Sequence, residues 1–362
     1  MSHKRILIMA GGTGGHVYPA LAVAKYLRER DAEILWLGTE RGLESRIVPD
    51  NAIAFSTIKI TGLRGKGILR VVLAPFKLLI ALVQSMILMA NFKPDAVLGM
   101  GGYVSGPGGV AACLLRIPLY IHEQNAIAGL TNRLLAPFAT YIMQGFPDTF
   151  DKEGKVETTG NPVRKEIIDF SRLNKQEDNY ETDNICLLVL GGSLGARALN
   201  QTLPAAVEKI SKETGLNIWH QTGDIHLSAT RKQYKDLGID EVKVEAFIED
   251  MAGAYAWADL VLCRAGALTL AEICVCGIAS VLVPYPYAVD DHQTANARLL
   301  SEHDAAILLP ESDLAVEKLK ALLTGLCQAR AQIKAMAAKT RHFAYLDATE
   351  KVGNICLEGA HA

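Results

Sequence analysis

Arg5–Leu27 reads RILIMAGGTGGHVYPALAVAKYL and Ile185–Leu203 reads ICLLVLGGSLGARALNQTL. Each begins with an apolar run of strand length, turns on glycines and continues with a helical pattern. A strand, a glycine turn and a helix in that order open a Rossmann-like unit, and the second copy implies a second unit. Around the first copy lie EILWLG, DAVLGM, PLYIHEQN and YIMQGF; around the second lie NIWHQTG, VKVEAFI, ADLVLCRAG, ASVLVPYP and AAILLP. These strand-length runs alternate with helical stretches, which predicts parallel sheets with crossover helices. Between the two halves Asp148–Asn184 is polar and charged and contains GNPVRKE, so it reads as a domain end and linker with its hinge near Asn161–Arg164. The final stretch, Leu319–Gly359, is helical and can pack on either domain. A chain of 362 residues, 50% of them hydrophobic, exceeds what one core usually serves and fits two domains.

Charge and cysteine use exclude several classes. The net charge is −2, so no global field draws the chain to nucleic acid, and an anionic partner needs local patches. Seven cysteines are scattered without a C-x-x-C pair, which indicates neither a disulfide framework nor a zinc site. The start, MSHKRILIMAGG, has too short an apolar run for a signal peptide and reads as a first strand. Ile68–Ala90 is the one stretch whose length and apolarity approach a membrane span. Arg70, Lys77 and Gln84 recur along one helical stripe, and Pro75 interrupts its start, which argues against spanning. Two readings stay open: a crossover helix buried on the sheet, or a helix docked at a membrane interface. The preceding TGLRGKG, with Leu63 between Arg64 and Lys66, favours an anionic lipid surface, with Phe76 and Leu79 as further apolar contacts.

Several loops carry candidate chemistry. GGTGGH, Gly11–His16, follows a strand and precedes a helix whose entry Pro19 marks. It fits neither the dinucleotide fingerprint, since Val17 stands where the third glycine belongs, nor a Walker loop, and its four glycines favour an anion held by N–H groups. GMGGYVSGPGG, Gly99–Gly109, supplies six more glycines with Tyr103 and Ser105 at another strand end, implying a large phosphate-bearing ligand at the carboxyl edge of the sheet. GGSLGAR, Gly191–Arg197, offers Ser193 at a second such turn. In RAGALTLAEICVCG, Glu272 is either a helix-dipole partner or a ribose ligand. In DDHQTANA, Gln293 and Asn296 are candidate sugar contacts. HEQNA lacks the second histidine of a zinc-protease helix, and D-x-D does not occur, which removes a metal clamp.

In this order GGTGGHVYPALAVA, GLRGKG, LGMGGYVSGPGG, HEQNAIAGLTNR, GNPVR, GGSLGAR, YAWADLVLCRAGALTLAE and DDHQTANA make the chain resemble, over nearly its whole length, the bacterial N-acetylglucosaminyltransferases of peptidoglycan precursor synthesis. The resemblance implies an α/β fold of GT-B type, two Rossmann-like domains with parallel sheets facing a central cleft. Residues 1–163, joined by 341–362, would hold the acceptor and the membrane, and residues 164–340 the UDP-sugar. It implies donor contacts at Thr13, Gly14, Gly15, Asn125, Arg164, Ser193, Ile248, Ala267, Leu268, Thr269, Leu270, Glu272, Gln293 and Asn296, with the Ile248 backbone on uracil and Glu272 on ribose. His292 beside Gln293 departs from some relatives.

The implied reaction is an inverting, metal-independent transfer of N-acetylglucosamine from UDP-N-acetylglucosamine to the C4 hydroxyl of a lipid-linked muramyl-pentapeptide acceptor, without cofactor. His16 stands as the base or as a phosphate contact, since imidazole titrates near neutrality; Glu123 is the next candidate base, with His122 behind it. The implied setting is the cytoplasmic face of the bacterial inner membrane, as a peripheral protein. Its partners are then the donor, the acceptor, an anionic membrane surface and other cell-wall synthesis proteins. A different GT-B transferase, a UDP-N-acetylglucosamine epimerase and a non-catalytic nucleotide-sugar sensor remain as alternatives.

Overall fold

Arg5–Met9 is β1, and its side chains Ile6 to Met9 are completely buried because helices cover both faces of a parallel sheet. The structure, a computed structural model, describes residues 3–60, 74–151, 154–173, 184–192, 195–210 and 215–359. Leu63, Arg64, Lys66, Arg70 and Ser193 lie outside the described residues. The chain divides into two compact units, Met1–Arg164 with Leu346–Ala362, and Lys165–Tyr345.

The first unit continues with β2 (Glu33–Gly38), β3 (Ala54–Thr57), β4 (Ala96–Gly99), β5 (Leu119–Glu123), β6 (Tyr141–Gln144) and β7 (Val156–Thr158). All pair in parallel in the order β3-β2-β1-β4-β5-β6-β7. The order reverses between β1 and β4, so the helices that follow those two strands lie on opposite faces of the sheet, and the loops that lead into them sit at its carboxyl edge. Helix Ala348–Gly359 belongs to this unit: Val352 and Cys356 join the core formed by Ile6, Val17 and Leu27, and the Tyr26 hydroxyl donates to Asn354 Oδ1 at 2.9 Å.

The second unit holds β8 (Ile185–Leu190), β9 (Leu216–Gln221), β10 (Val242–Glu245), β11 (Leu260–Cys263), β12 (Ala279–Leu282) and β13 (Ile307–Leu308). Their order is β10-β9-β8-β11-β12-β13, again parallel, with the reversal between β8 and β11. Both sheets are Rossmann-like, as the doubled strand–glycine–helix pattern implies.

Two local expectations change. The first helix begins at Gly14 rather than at Pro19, which sits inside Gly14–Arg28; the glycines themselves take helical geometry, and proline in the second turn leaves one carbonyl without its intrahelical donor. Helix Ala74–Phe92 is not a buried crossover. Its buried residues are Ala74, Ala81, Ser85 and Met89, the last three at a spacing of four that forms a narrow seam. Phe76 (65% exposed), Leu79 (58%) and Ile87 (57%) point outward with Lys77 exposed beside them.

Candidate functional site

In the first unit the loops after β1, β4 and β5 meet. Gly102, at φ +85°, packs so tightly on Gly11 that an added Cβ would lie 2.3 Å from the Gly11 carbonyl oxygen. Gly101, at φ +99°, faces the His16 ring, where a Cβ would come within 2.7 Å of Nδ1. Glycine is needed at both positions for backbone conformation and for space. The two glycine loops read separately in the sequence are therefore one surface.

Glu44 holds that surface from behind. Its buried carboxylate accepts from the Gly12 amide at 3.0 Å, the Thr39 amide at 3.0 Å and the Thr39 hydroxyl at 2.7 Å. The Gly12 N–H is thus occupied within the fold. The remaining anion donors are the amides of Thr13, Gly14 and Gly15 at the helix start, where unpaired N–H groups and the helix dipole both favour negative charge.

His16 leads to a chain of polar side chains. Its Nδ1 is 3.0 Å from Gln124 Oε1. Gln124 Nε2 reaches the Met100 carbonyl at 2.9 Å and His122 Nδ1 at 3.2 Å. His122 Nε2 donates to the Gly160 carbonyl at 3.0 Å. Complete burial pushes the His122 imidazole down to about 4, so it stays neutral at physiological pH.

Glu123 serves a different end. Oε1 accepts from the Asn125 amide and side chain at 3.1 and 3.2 Å, and Oε2 accepts from the Gly129 amide and Asn132 Nδ2 at 3.0 and 2.8 Å. With four donors on its two oxygens, the carboxylate clamps the HEQN loop to the turn that follows it. Ser105 is likewise internal, donating toward Gly101 O at 3.0 Å. Asn125 accepts at its carbonyl from the Thr149 hydroxyl, 3.2 Å away, and the Arg164 guanidinium lies 5.6 Å from the Tyr18 ring centroid.

In the second unit, Gly195 at φ +77° brings the loop after β8 against the loop after β9, where a Cβ would lie 2.1 Å from Thr222 O. Gln221 ties three strand ends together: Nε2 donates to Gly192 O at 3.2 Å, and Oε1 accepts from the Ile248 amide at 3.1 Å. The Ile248 N–H is therefore engaged inside the fold. Ala267, Leu268, Thr269 and Leu270 form the first turn of helix Ala267–Cys276, directly after β11 and the Gly266 cap.

Glu272, one turn on, is nearly buried and accepts from the Tyr255 hydroxyl at 2.9 Å. Burial, then the neighbouring carboxylate, pushes the Tyr255 phenol well above its usual range, which keeps it a donor. Gln293, in the first turn of helix His292–Ser301, accepts through Oε1 from the amide of Tyr285 on the loop after β12, at 2.9 Å. His292 Nδ1 donates to Val289 O at 2.7 Å, which confines that ring to its own loop. Asn296 is completely buried and its Nδ2 donates to Ala265 O at 3.1 Å, so it shapes the turn before helix Ala267–Cys276.

Comparison with known proteins shows the family of the chain. The glycosyltransferase family 28 N-terminal domain matches residues 6–144, and the family 28 C-terminal domain matches residues 186–352. The chain belongs to glycosyltransferase family 28. Two family 28 relatives, from Shewanella pealeana and Shewanella piezotolerans, are each 49% identical to it. The matches cover 98% of this chain and 96% and 97% of theirs, and both are named UDP-N-acetylglucosamine--N-acetylmuramyl-(pentapeptide) pyrophosphoryl-undecaprenol N-acetylglucosamine transferase. The crystal structure of Acinetobacter baumannii MurG matches with a TM-score of 0.82 at 42% identity, covering 98% of this chain and 99% of that one. A UDP-GlcNAc 2-epimerase from Neisseria meningitidis, bound to UDP-GlcNAc, has a TM-score of 0.67 at 13% identity over 98% of this chain and 100% of its own. At that identity the likeness is one of fold.

Within this family 28 chain, Glu44, Gln221 and Tyr255 are the supporting residues that motif reading passed over. Each is remote in sequence from the loop it holds, by 32 residues for the Glu44 contact to Gly12 and by 27 for the Gln221 contact to Ile248. No local spacing announces such a pair.

Proposed function

We propose that this chain is the N-acetylglucosaminyltransferase that adds N-acetylglucosamine from UDP-N-acetylglucosamine to undecaprenyl-pyrophosphoryl-N-acetylmuramyl-pentapeptide. The observation that carries the reading is full-length similarity near 49% identity to relatives of that name, together with both family 28 domains. The acceptor C4 oxygen attacks C1 of the α-linked sugar as its proton passes to His16 Nε2. The new O–C1 bond forms while the C1–O bond to the diphosphate breaks, its electron pair leaving on UDP, and C1 inverts. Backbone donors at Thr13, Gly14 and Gly15, the Arg164 guanidinium and Ser193 counter the charge that grows on the leaving diphosphate, where such preorganised donors act most strongly. Glu272 accepts from the ribose hydroxyls, the first turn Ala267–Leu270 and the Ile248 carbonyl seat the nucleotide, and Gln293 meets the sugar. Purified protein should release UDP only when the lipid-linked muramyl acceptor is present, and EDTA should leave that rate largely intact. Acceptor-independent epimerisation, or activity that is lost in EDTA and restored by one divalent ion, would overturn the reading in its acceptor or its metal-free part.

The outward apolar face of Ala74–Phe92 supports work at the cytoplasmic face of the inner membrane, where an acceptor with a polyprenyl tail stays. Exposed Leu114, Leu130, Leu134 and Phe138 lie on helix Ser105–Leu114, helix Leu130–Leu135 and the turn that follows, segments that pack in series beside it. Replacing Phe76, Leu79 and Ile87 together by Ser is expected to abolish most salt-resistant binding to anionic vesicles, because burying each large apolar side chain contributes about 1.5–3 kcal/mol. Replacing Arg64, Lys66, Arg70 and Lys77 by Gln should instead remove the salt-sensitive part, at about 1 kcal/mol per cation. Co-sedimentation of both folded variants at the parental level would move the membrane face elsewhere.

A further inference from the structure

We propose that Gln124 is a positioning residue that fixes the tautomer of His16, placing the proton on Nδ1 and leaving Nε2 as the lone pair that takes the acceptor proton. The inference deepens the base assignment above and rests on it for its catalytic meaning.

The hydrogen-bond chain has one consistent direction. The Met100 carbonyl can only accept, so the group of Gln124 facing it at 2.9 Å is the amide N–H₂. The Gly160 carbonyl can only accept, so His122 carries its proton on Nε2 and presents Nδ1 as an acceptor, which the same Gln124 N–H₂ meets at 3.2 Å. Two independent carbonyls therefore orient the glutamine amide, and its Oε1 is what remains for His16. At 3.0 Å from Oε1, His16 Nδ1 must bear the hydrogen. Nε2 makes no hydrogen bond among the described residues. A ring flip would trade this bond for a C–H facing an amide oxygen, and Gly101, packed against Nδ1 and Cε1, limits the room for other rotamers.

The catalytic consequence follows from proton accounting. Histidine in solution favours the Nε2–H form, which has no lone pair where the substrate hydroxyl would arrive. Gln124 reverses that preference. When Nε2 takes the proton, the imidazolium keeps its Nδ1–H on the same oxygen, and a neutral amide oxygen passes no proton onward, so the proton stays on His16 until solvent removes it. An imidazole held in the wrong tautomer can lose up to about 10⁴ in rate.

The test reads the tautomer directly. In ¹⁵N-histidine-labelled parent protein above the titration of the imidazole, with His16 assigned by its loss in His16→Gln, long-range ¹H–¹⁵N spectra should show a protonated-type Nδ1 and a pyridine-type Nε2. Gln124→Met, close in size but without the acceptor, should shift His16 toward the Nε2–H form and lower kcat at least tenfold while KM for UDP-N-acetylglucosamine changes less than twofold. An Nε2–H tautomer in the parent overturns the inference without needing any variant. An unchanged tautomer or unchanged kcat in folded Gln124→Met does so as well. Failure of the base reading looks different: the tautomer is as stated, yet His16→Gln turns over normally.

Discussion

His16→Ala is expected to lower turnover by on the order of a hundredfold or more, with UDP affinity nearly intact, as loss of a positioned general base does. The residue sits on the third position of helix Gly14–Arg28, and its backbone amide is satisfied by Thr13 O at 3.1 Å, so truncation leaves the helix start in place. What disappears is the imidazole between Gly101 and Gln124. The nucleotide contacts assigned to Ile248, Ala267–Leu270 and Glu272 belong to the second unit and are untouched. Paired measurements of kcat with the lipid-linked acceptor and of UDP binding by calorimetry separate the two effects. Near-normal turnover in the folded variant would remove His16 from the chemistry, whereas an equal loss of UDP affinity would recast it as a phosphate contact.

Glu272→Ala carries the second large effect, and it has two parts. Charge-assisted hydrogen bonds from ribose hydroxyls to a carboxylate contribute about 1.5–3 kcal/mol, so UDP affinity should fall roughly ten- to a hundredfold. The same truncation strands the Tyr255 hydroxyl, which is buried with Glu272 as its acceptor. An unpaired buried hydroxyl costs about 1–3 kcal/mol of stability. Glu272→Gln keeps an acceptor for Tyr255 and removes the charge, so it should recover most of the thermal stability while still binding UDP more weakly than the parent. Unchanged UDP affinity in either folded variant would sink the ribose assignment and leave Glu272 a structural role as the acceptor for Tyr255.

The sheet architecture was legible because its cause is local. A strand buried on both faces must be apolar throughout, the turn after it must admit positive φ or close backbone approach, and the helix must follow within a few residues. RILIMAGGTGG and ICLLVLGGSLG meet all three conditions, and each became an interior strand at the point where the order of its sheet reverses. The parallel pairing follows from the same alternation, since crossover helices leave no antiparallel return. The Ala74–Phe92 helix was the local exception. Apolar composition permits both a buried and an outward helix, and only the seam Ala81, Ser85, Met89 shows which side the fold takes.

Residue type and order along the chain thus determined two parallel α/β units, glycine loops at their strand ends and the family to which those loops belong. Tertiary structure alone decided how each polar side chain is used. Glu123 and Asn296 look like free chemistry in sequence, yet one is surrounded by four donors and the other is sealed under a turn. Gln124 looks like filler between better-known residues, yet it joins His16 to His122. The physical reason is that hydrogen-bond capacity is a local property of a side chain, whereas its satisfaction depends on which distant backbone groups the fold brings within 3 Å or so of it.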